Sequence, residues 1–323
     1  MTIPTKRAVA QQPVFVANTT AEVKLQPGYL EESYTVRIDG SVTVTTPATN
    51  VQPRASLLKE VRLTIDKGKV LQDWLAHDLV IEQEVYEQNI EANQITPPSG
   101  VANATYTFSS THTIALREPF SGKLGDLTML PTWLYNALTL QLIFGDFTSL
   151  FNGGAGTLGA VTVTVTQNGV LDYPMPKEFA GNAVAFGKAL GQAIKNFDQE
   201  TFGSALPAFP VDVPLTDDIR SMVLLAFNNS GVLDDTVIST VTFKVNGNTE
   251  VVSQVPWSAL KGENARVFGV PMPAGVAILE SSEDQDIRHI YEVTGYSKAS
   301  LIFQTAAAGS VRVAYRKLSA GRG

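Results

Sequence analysis

Two glycine-rich stretches and a scatter of ionisable side chains are where chemistry could reside in this sequence. Gly154-Ala-Gly156-Thr-Leu-Gly159 matches G-x-G-x-x-G, the spacing with which a loop and the helix after it hold a pyrophosphate. The next residues, Ala160–Thr166, alternate valine with threonine, which is a strand pattern. No helix N-terminus is available, so the stretch is read as a hairpin turn. Gly181-Asn-Ala-Val-Ala-Phe-Gly187-Lys188-Ala189 approaches a phosphate loop but has one residue too many between its glycines. Ala189 also stands where a hydroxyl should meet magnesium. His77, His112 and His289 are far apart, and none belongs to a ligand pair. Carboxylates pair at Glu31-Glu32, Asp217-Asp218 and Asp234-Asp235, and they cluster over Glu280–Asp286. Pairs could serve glycoside hydrolysis only if a cleft set them ~5–9 Å apart. The 280–286 cluster offers oxygen ligands to a divalent cation but lacks the spacing of a calcium loop. No catalytic, cofactor-binding or metal residue is assigned, and no cofactor is expected.

Bulk composition narrows the classes further. The chain has 323 residues, 44% hydrophobic and only 17% charged, with net charge −7. So few charges, against roughly 25% in ordinary soluble domains, fit an exterior largely covered by neighbours. An acidic body is unsuited to coating nucleic acid. Lys6 and Arg7 near the start, and Arg312, Arg316, Lys317 and Arg322 near the end, are read as basic termini suited to a phosphate-bearing surface. The absence of cysteine excludes disulfides and thiolate metal sites. Without an apolar signal core or a run of ~18 apolar residues, the expected place of synthesis is the cytoplasm.

The elements that must position any site are mostly strands. Period-two alternation marks Tyr34–Thr45, Val61–Ile65, Tyr106–Leu116, Thr139–Phe144 and Val161–Thr166. It returns in Met222–Phe227, Val241–Val245, Ala299–Phe303 and Val311–Tyr315. Turn residues such as Asp39-Gly40, Asn152-Gly153-Gly154 and Asn246-Gly247 separate them. Two helices are expected. One is short, over Leu130–Leu138; the other runs from about Lys177 to Asp198, with Phe179, Ala183, Phe186, Leu190, Ile194 and Phe197 on one face. Three prolines from Pro207 to Pro214 suggest an extended linker after it.

The halves repeat in order. Val61-Arg-Leu-Thr-Ile65, a polar turn and an apolar return lead to Trp74; Val241-Thr-Phe-Lys-Val245, a turn and a return lead to Trp257. Leu142-Ile143-Phe144 before Val161–Val165 matches Leu301-Ile302-Phe303 before Val311–Tyr315. Such internal repetition divides the chain into two similar β domains.

With that doubled pattern, the chain resembles the double jelly-roll major capsid proteins of tailless icosahedral bacteriophages, the lineage that includes adenovirus hexon. The resemblance implies an all-β fold of two tandem eight-stranded jelly-roll β-barrels with a short helical interlude and connector. The expected divisions are an arm over 1–28, a first jelly roll over 29–168 and a helical connector over 169–208. A second jelly roll over 209–318 and a tail over 319–323 complete the chain. It further implies a non-enzymatic capsid subunit, made in the host cytoplasm and resident in the virion, forming pseudo-hexameric homotrimers. Minor capsid and vertex proteins are implied partners, with an internal membrane or the packaged genome met through the basic termini. Val14, Phe15 and Val16 would lie in an arm packing on a neighbour, so deleting residues 1–26 should harm assembly more than folding. A viral spike or carbohydrate-binding β-sandwich, with Tyr86, Tyr106, Tyr291 and Tyr296 as sugar platforms, is the alternative. A β-rich hydrolase using the acidic pairs is a third reading.

Overall fold

A computed structural model describes residues 5–50, 56–66, 68–86, 102–118, 124–247, 249–281 and 290–319. The chain forms two compact units that divide between Gly191 and Gln192.

In the first unit, β1 (Thr5–Gln11), β2 (Thr20–Lys24), β3 (Leu30–Thr46) and β4 (Leu58–Ile65) are followed by β5 (Lys69–Leu75), β6 (Ala104–Ala115), β7 (Leu138–Phe144) and β8 (Ala155–Leu171). One sheet runs β1-β8-β3-β6 and the other β2-β7-β4-β5, all antiparallel. The second unit supplies β9 (Gln192–Phe202), β10 (Leu206–Asp212), β11 (Asp218–Asn228) and β12 (Ile238–Val245). After them come β13 (Glu250–Pro256), β14 (Val276–Glu280), β15 (Ala299–Thr305) and β16 (Gly309–Ser319). Its sheets run β9-β16-β11-β14 and β10-β15-β12-β13. Adding eight to each strand number of the first unit reproduces the second, strand for strand. That wiring, with sheets facing across one core, is a jelly roll.

Alternation explains the packing. In β7, and in β4 from Val61 onward, every second side chain is buried. Val36, Ile38, Val163 and Val165 from one sheet share a core with Val61, Leu63, Leu140 and Leu142 from the other. Met222, Leu224, Val311 and Val313 share theirs with Val241, Phe243, Leu301 and Phe303. Trp74 and Trp257, paired by the repeat, are both buried in their respective cores. Three helices matter to the argument: α1 (Ala76–Tyr86), α2 (Ala183–Ala189) and α3 (Trp257–Phe268). The hairpin that ends at each tryptophan leads directly into a helix, α1 in the first unit and α3 in the second.

Several expectations change. The helix expected over Lys177–Asp198 is a 3-10 turn at Lys177–Phe179, then α2, capped by the Asn182 side chain accepting from the Ala185 N–H. Phe186 and Leu190 do bury, with Phe179 packed beside them and the Phe186 ring stacked on Tyr173. Ile194 and Phe197 instead lie in β9, because eleven residues from Gln192 to Phe202 pair with β16. Helix propensity already lowered by Gly181, Gly187 and Gly191 does not withstand that ladder. The connector over 169–208 therefore also holds the end of β8, all of β9 and the start of β10, and Pro207 and Pro210 lie within β10. The short helix at Leu130–Leu138 is reduced to a 3-10 turn at Thr132–Leu134.

The arm over 1–28 is likewise part of the first unit. β1 pairs with β8 from Thr5↔Leu171 to Gln11↔Val165, and β2 pairs with β7. Val14, Phe15 and Val16 lie in the β1–β2 connection, where the Phe15 ring sits 5.0 Å from that of Phe144. Of the tail, Ser319 ends β16, and 320–323 lie outside the described residues.

Strand β14 is an outer strand of its sheet, and a side chain covers its backbone. Asn264 of α3 donates from Nδ2 to the Ile278 carbonyl at 2.8 Å and accepts from the Ile278 N–H at 2.7 Å. An amide side chain thus takes the place of a neighbouring strand, which blunts an edge open to stray pairing. Asn264→Ala should leave two buried backbone groups without partners and cost about 2–4 kcal/mol. Urea unfolding of the variant checks this, and an unshifted midpoint would show that water replaces the amide without loss.

Candidate functional site

The structure disperses the residues that sequence reading singled out for chemistry. Gly154–Gly159 lies mostly inside β8, and at Gly154, whose φ is 68°, a Cβ would run into the backbone oxygens of Thr46 and Pro47. The hairpin turn expected over the whole stretch is confined to Gly153 and Gly154, and from Ala155 onward the backbone is strand paired with β3. The Gly181–Ala189 stretch is a tight turn, the Asn182 cap and α2. His112 sits in β6, fully buried, with Nε2 2.9 Å from the Ser56 hydroxyl. Burial pushes its imidazole down to about 4, so it is neutral at ordinary pH. His289 and residues 282–286 of the acidic cluster lie outside the described residues, as does the His77 side chain.

The acidic pairs have local partners rather than a shared cleft. Asp234 accepts from the Thr236 N–H and hydroxyl, and Asp218 accepts from the Thr294 hydroxyl at 2.9 Å. Asp235 ties three segments of the second unit together. It accepts from Lys261 at 2.7 Å, from the Trp257 indole at 2.9 Å and from the Gly275 N–H at 2.9 Å. Partial burial opposes its ionisation, but these bonds outweigh it and hold the carboxyl below the usual range. Glu280 pairs with Arg220 at 3.7 Å, both side chains being almost wholly buried. Among the described residues no group of three or more His, Asp or Glu side chains is placed to hold a metal ion.

Glu31 and Glu32 behave differently despite being adjacent. Glu32 pairs with Lys6 at 3.0 Å near the surface. Glu31 is fully buried and accepts from the Gln167 amide at 2.6 Å. Burial, reinforced by Glu32 and only partly offset by Gln167, pushes its carboxyl up to about 7. Gln167 in turn bonds both backbone groups of Gln26. Sequence reading missed this buried network and the Asn264 clamp. The signal for the clamp was an asparagine inside a helix, a position its side chain disfavours unless it bonds elsewhere.

The basic C-terminal region is not a free cationic tail. Arg316 and Lys317 are buried within β16, and Arg312 stacks over the Phe227 ring 4.8 Å from its centroid. Arg322 lies outside the described residues. The aromatic residues of the sugar-binding alternative do not gather either. Tyr86 and Tyr106 belong to the first unit, and Tyr291 and Tyr296 pack on the core of the second. Concavities among the described residues of the second unit include a larger and a smaller one. A cleft of about 570 Å³ is lined by Asp235, Ile238, Ser239, Trp257, Ser258 and Lys261. A smaller one of about 210 Å³ lies between α3, β13 and β14. No helix among the described residues is long and apolar enough to cross a membrane.

What stands out is a duplicated scaffold rather than a reaction centre. No protein-family model matches the chain, and no curated protein matches its sequence. Solved structures do match its fold. The chain is similar to the MCP of STIV, the Sulfolobus turreted icosahedral virus, with TM-score 0.77 and 15% identity over 99% of this chain and 97% of that one. It is similar to the major capsid protein P2 of bacteriophage PM2, with TM-score 0.66 and 12% identity over 99% of this chain and all of the other, 100%. A chain of the PBCV-1 virus capsid matches with TM-score 0.65 and 11% identity over 98% and 94% of the two chains. At these identities the likeness is one of fold, and it spans both jelly rolls.

Proposed function

We propose that this chain, having the double jelly-roll fold of those viral major capsid proteins, is itself a major capsid protein that forms pseudo-hexameric homotrimers tiling an icosahedral shell. The observation that carries the reading is the strand-for-strand equivalence of the two units, together with a likeness that spans 99% of the chain. A threefold assembly of such a chain offers six like units, so a threefold particle can fill a near-sixfold lattice position. The dispersed ionisable residues suit a structural role, and no enzymatic activity enters the proposal.

The virion is then its place of residence, with a bacteriophage as the virus. Its first partner is itself, and minor capsid and vertex proteins would complete the shell. An internal membrane or packaged genome would be met by Lys6 and Arg7, because Arg316 and Lys317 are buried. We place the jelly rolls at 5–171 and 192–319, with α2 between them in the chain. Sedimentation equilibrium of the purified chain at high concentration is the test. A trimer is expected, with hexagonal particles in electron micrographs. A strict monomer at near-physiological salt would overturn the proposal.

A further inference from the structure

The two units repeat an exposed apolar feature at the same point of the same hairpin, and they reverse the charge beside it. In the β4–β5 hairpin the register shifts between Leu63 and Thr64, so that Thr64 faces Val70 and Ile65 faces Lys69. In the β12–β13 hairpin it shifts between Phe243 and Lys244, so that Lys244 faces Val251 and Val245 faces Glu250. The bulge therefore recurs, and it makes Val70 equivalent to Val251 and Lys69 equivalent to Glu250. Val70 is 46% exposed, Val251 49% and Val252 43%. Lys69 and Glu250 are also exposed, and Glu250 is positioned by the Asn246 amide at 3.0 Å.

A single exposed valine needs no explanation, but one kept at matching positions in two units of diverged sequence does. We propose that the first-unit hairpin of one copy docks on the second-unit hairpin of another, Val70 against Val251 and Val252, with Lys69 facing Glu250. The proposal rests on the capsid reading, which supplies the many copies. Charge chooses the pairing. Two first hairpins would set lysine against lysine, two second hairpins glutamate against glutamate, and only the mixed contact brings opposite signs together. Because the bulges disturb the hydrogen-bonding line of both β5 and β13, the contact is made by side chains and not by strand addition. Each contact is small. Repeated around a lattice it adds up, while single mistakes remain reversible.

Charge reversal tests the pairing in the full chain. Association of Lys69→Glu, Glu250→Lys and the double variant is followed by sedimentation and light scattering. Each single reversal is expected to weaken association of trimers by roughly tenfold or more, and the double variant to recover most of it. A second measurement uses the absence of native cysteine. Val70→Cys and Val251→Cys chains, mixed and treated with a short thiol cross-linker, should join to each other and not to themselves. The cross-linking result stands even if a charge variant folds poorly. Trimers that assemble normally in both single reversals, or Val70→Cys chains that link to one another, would overturn the hairpin pairing and leave the capsid reading standing. A wild-type chain that never associates would overturn both.

Discussion

A chain lacking residues 1–26 is expected to lose its folded first unit, not merely its capacity to assemble. Those residues include β1 and β2, one strand from each sheet. Their removal strips β8 of pairing from Val165 to Leu171 and β7 of pairing from Thr139 to Ile143. Val23, a buried core residue, and the Phe15 ring against Phe144 go with them. Burial of one such side chain stabilises by about 1.5–3 kcal/mol. Adding two ladders brings the loss to the scale of a whole domain's stability, ~5–15 kcal/mol. Limited proteolysis of the truncated chain should then digest residues 27–191 while sparing a fragment that begins near Gln192. A truncated chain with wild-type protease resistance and melting temperature would mean that the first unit is closed without its first two strands, and would restore the detachable-arm reading.

Glu31→Gln should stabilise the protein at alkaline pH and leave it nearly unchanged in acid. The folded state holds the Glu31 proton up to about 7, against 4.5 when the group is free. Below 4.5 both states are protonated and the group's full contribution is present. As pH rises through 7 the folded state must ionise a carboxyl buried beside Glu32, and that contribution is lost. The difference corresponds to about 3 kcal/mol. Glutamine keeps an oxygen to accept from Gln167 and never ionises. His112 titrates in the opposite sense. Its folded value of about 4 lies below the free value of 6.5, so it destabilises the fold as pH falls below 6.5. Because wild type and variant share His112, the difference between them isolates Glu31. Urea unfolding from pH 4 to 8.5 should show that difference opening from near zero to about 3 kcal/mol. A constant difference across the range would mean that water reaches the carboxylate.

Much of the scaffold could be read without coordinates, and the reason is local. The nine strands expected from alternation all form, because a period of two and β-branched residues act over a few residues. The turns at Asp66 and Asn246 adopt positive φ, 47° and 53°, which short polar side chains tolerate. The tryptophan repeat identified equivalent hairpins, and in the structure both tryptophans are buried. The strands that were missed have weaker patterns. β9 breaks its alternation with four exposed residues before the buried Phe202.

By itself, then, the sequence determined the fold class, the doubling and the lack of a recognisable reaction motif. The tertiary structure alone decided that 192–202 is strand instead of helix, that the N-terminal segment closes both sheets, and that Glu31 is buried while Glu32 is not. It also decided that Lys69 and Glu250 occupy equivalent places. These outcomes depend on partners distant along the chain. β9 is held by a strand beginning at Gly309, and Glu31 bonds a glutamine 136 residues away. Short-range periodicity reports which residues want to be strand. Which strand they pair with, and which carboxylate the pairing buries, is settled only when the sheets close.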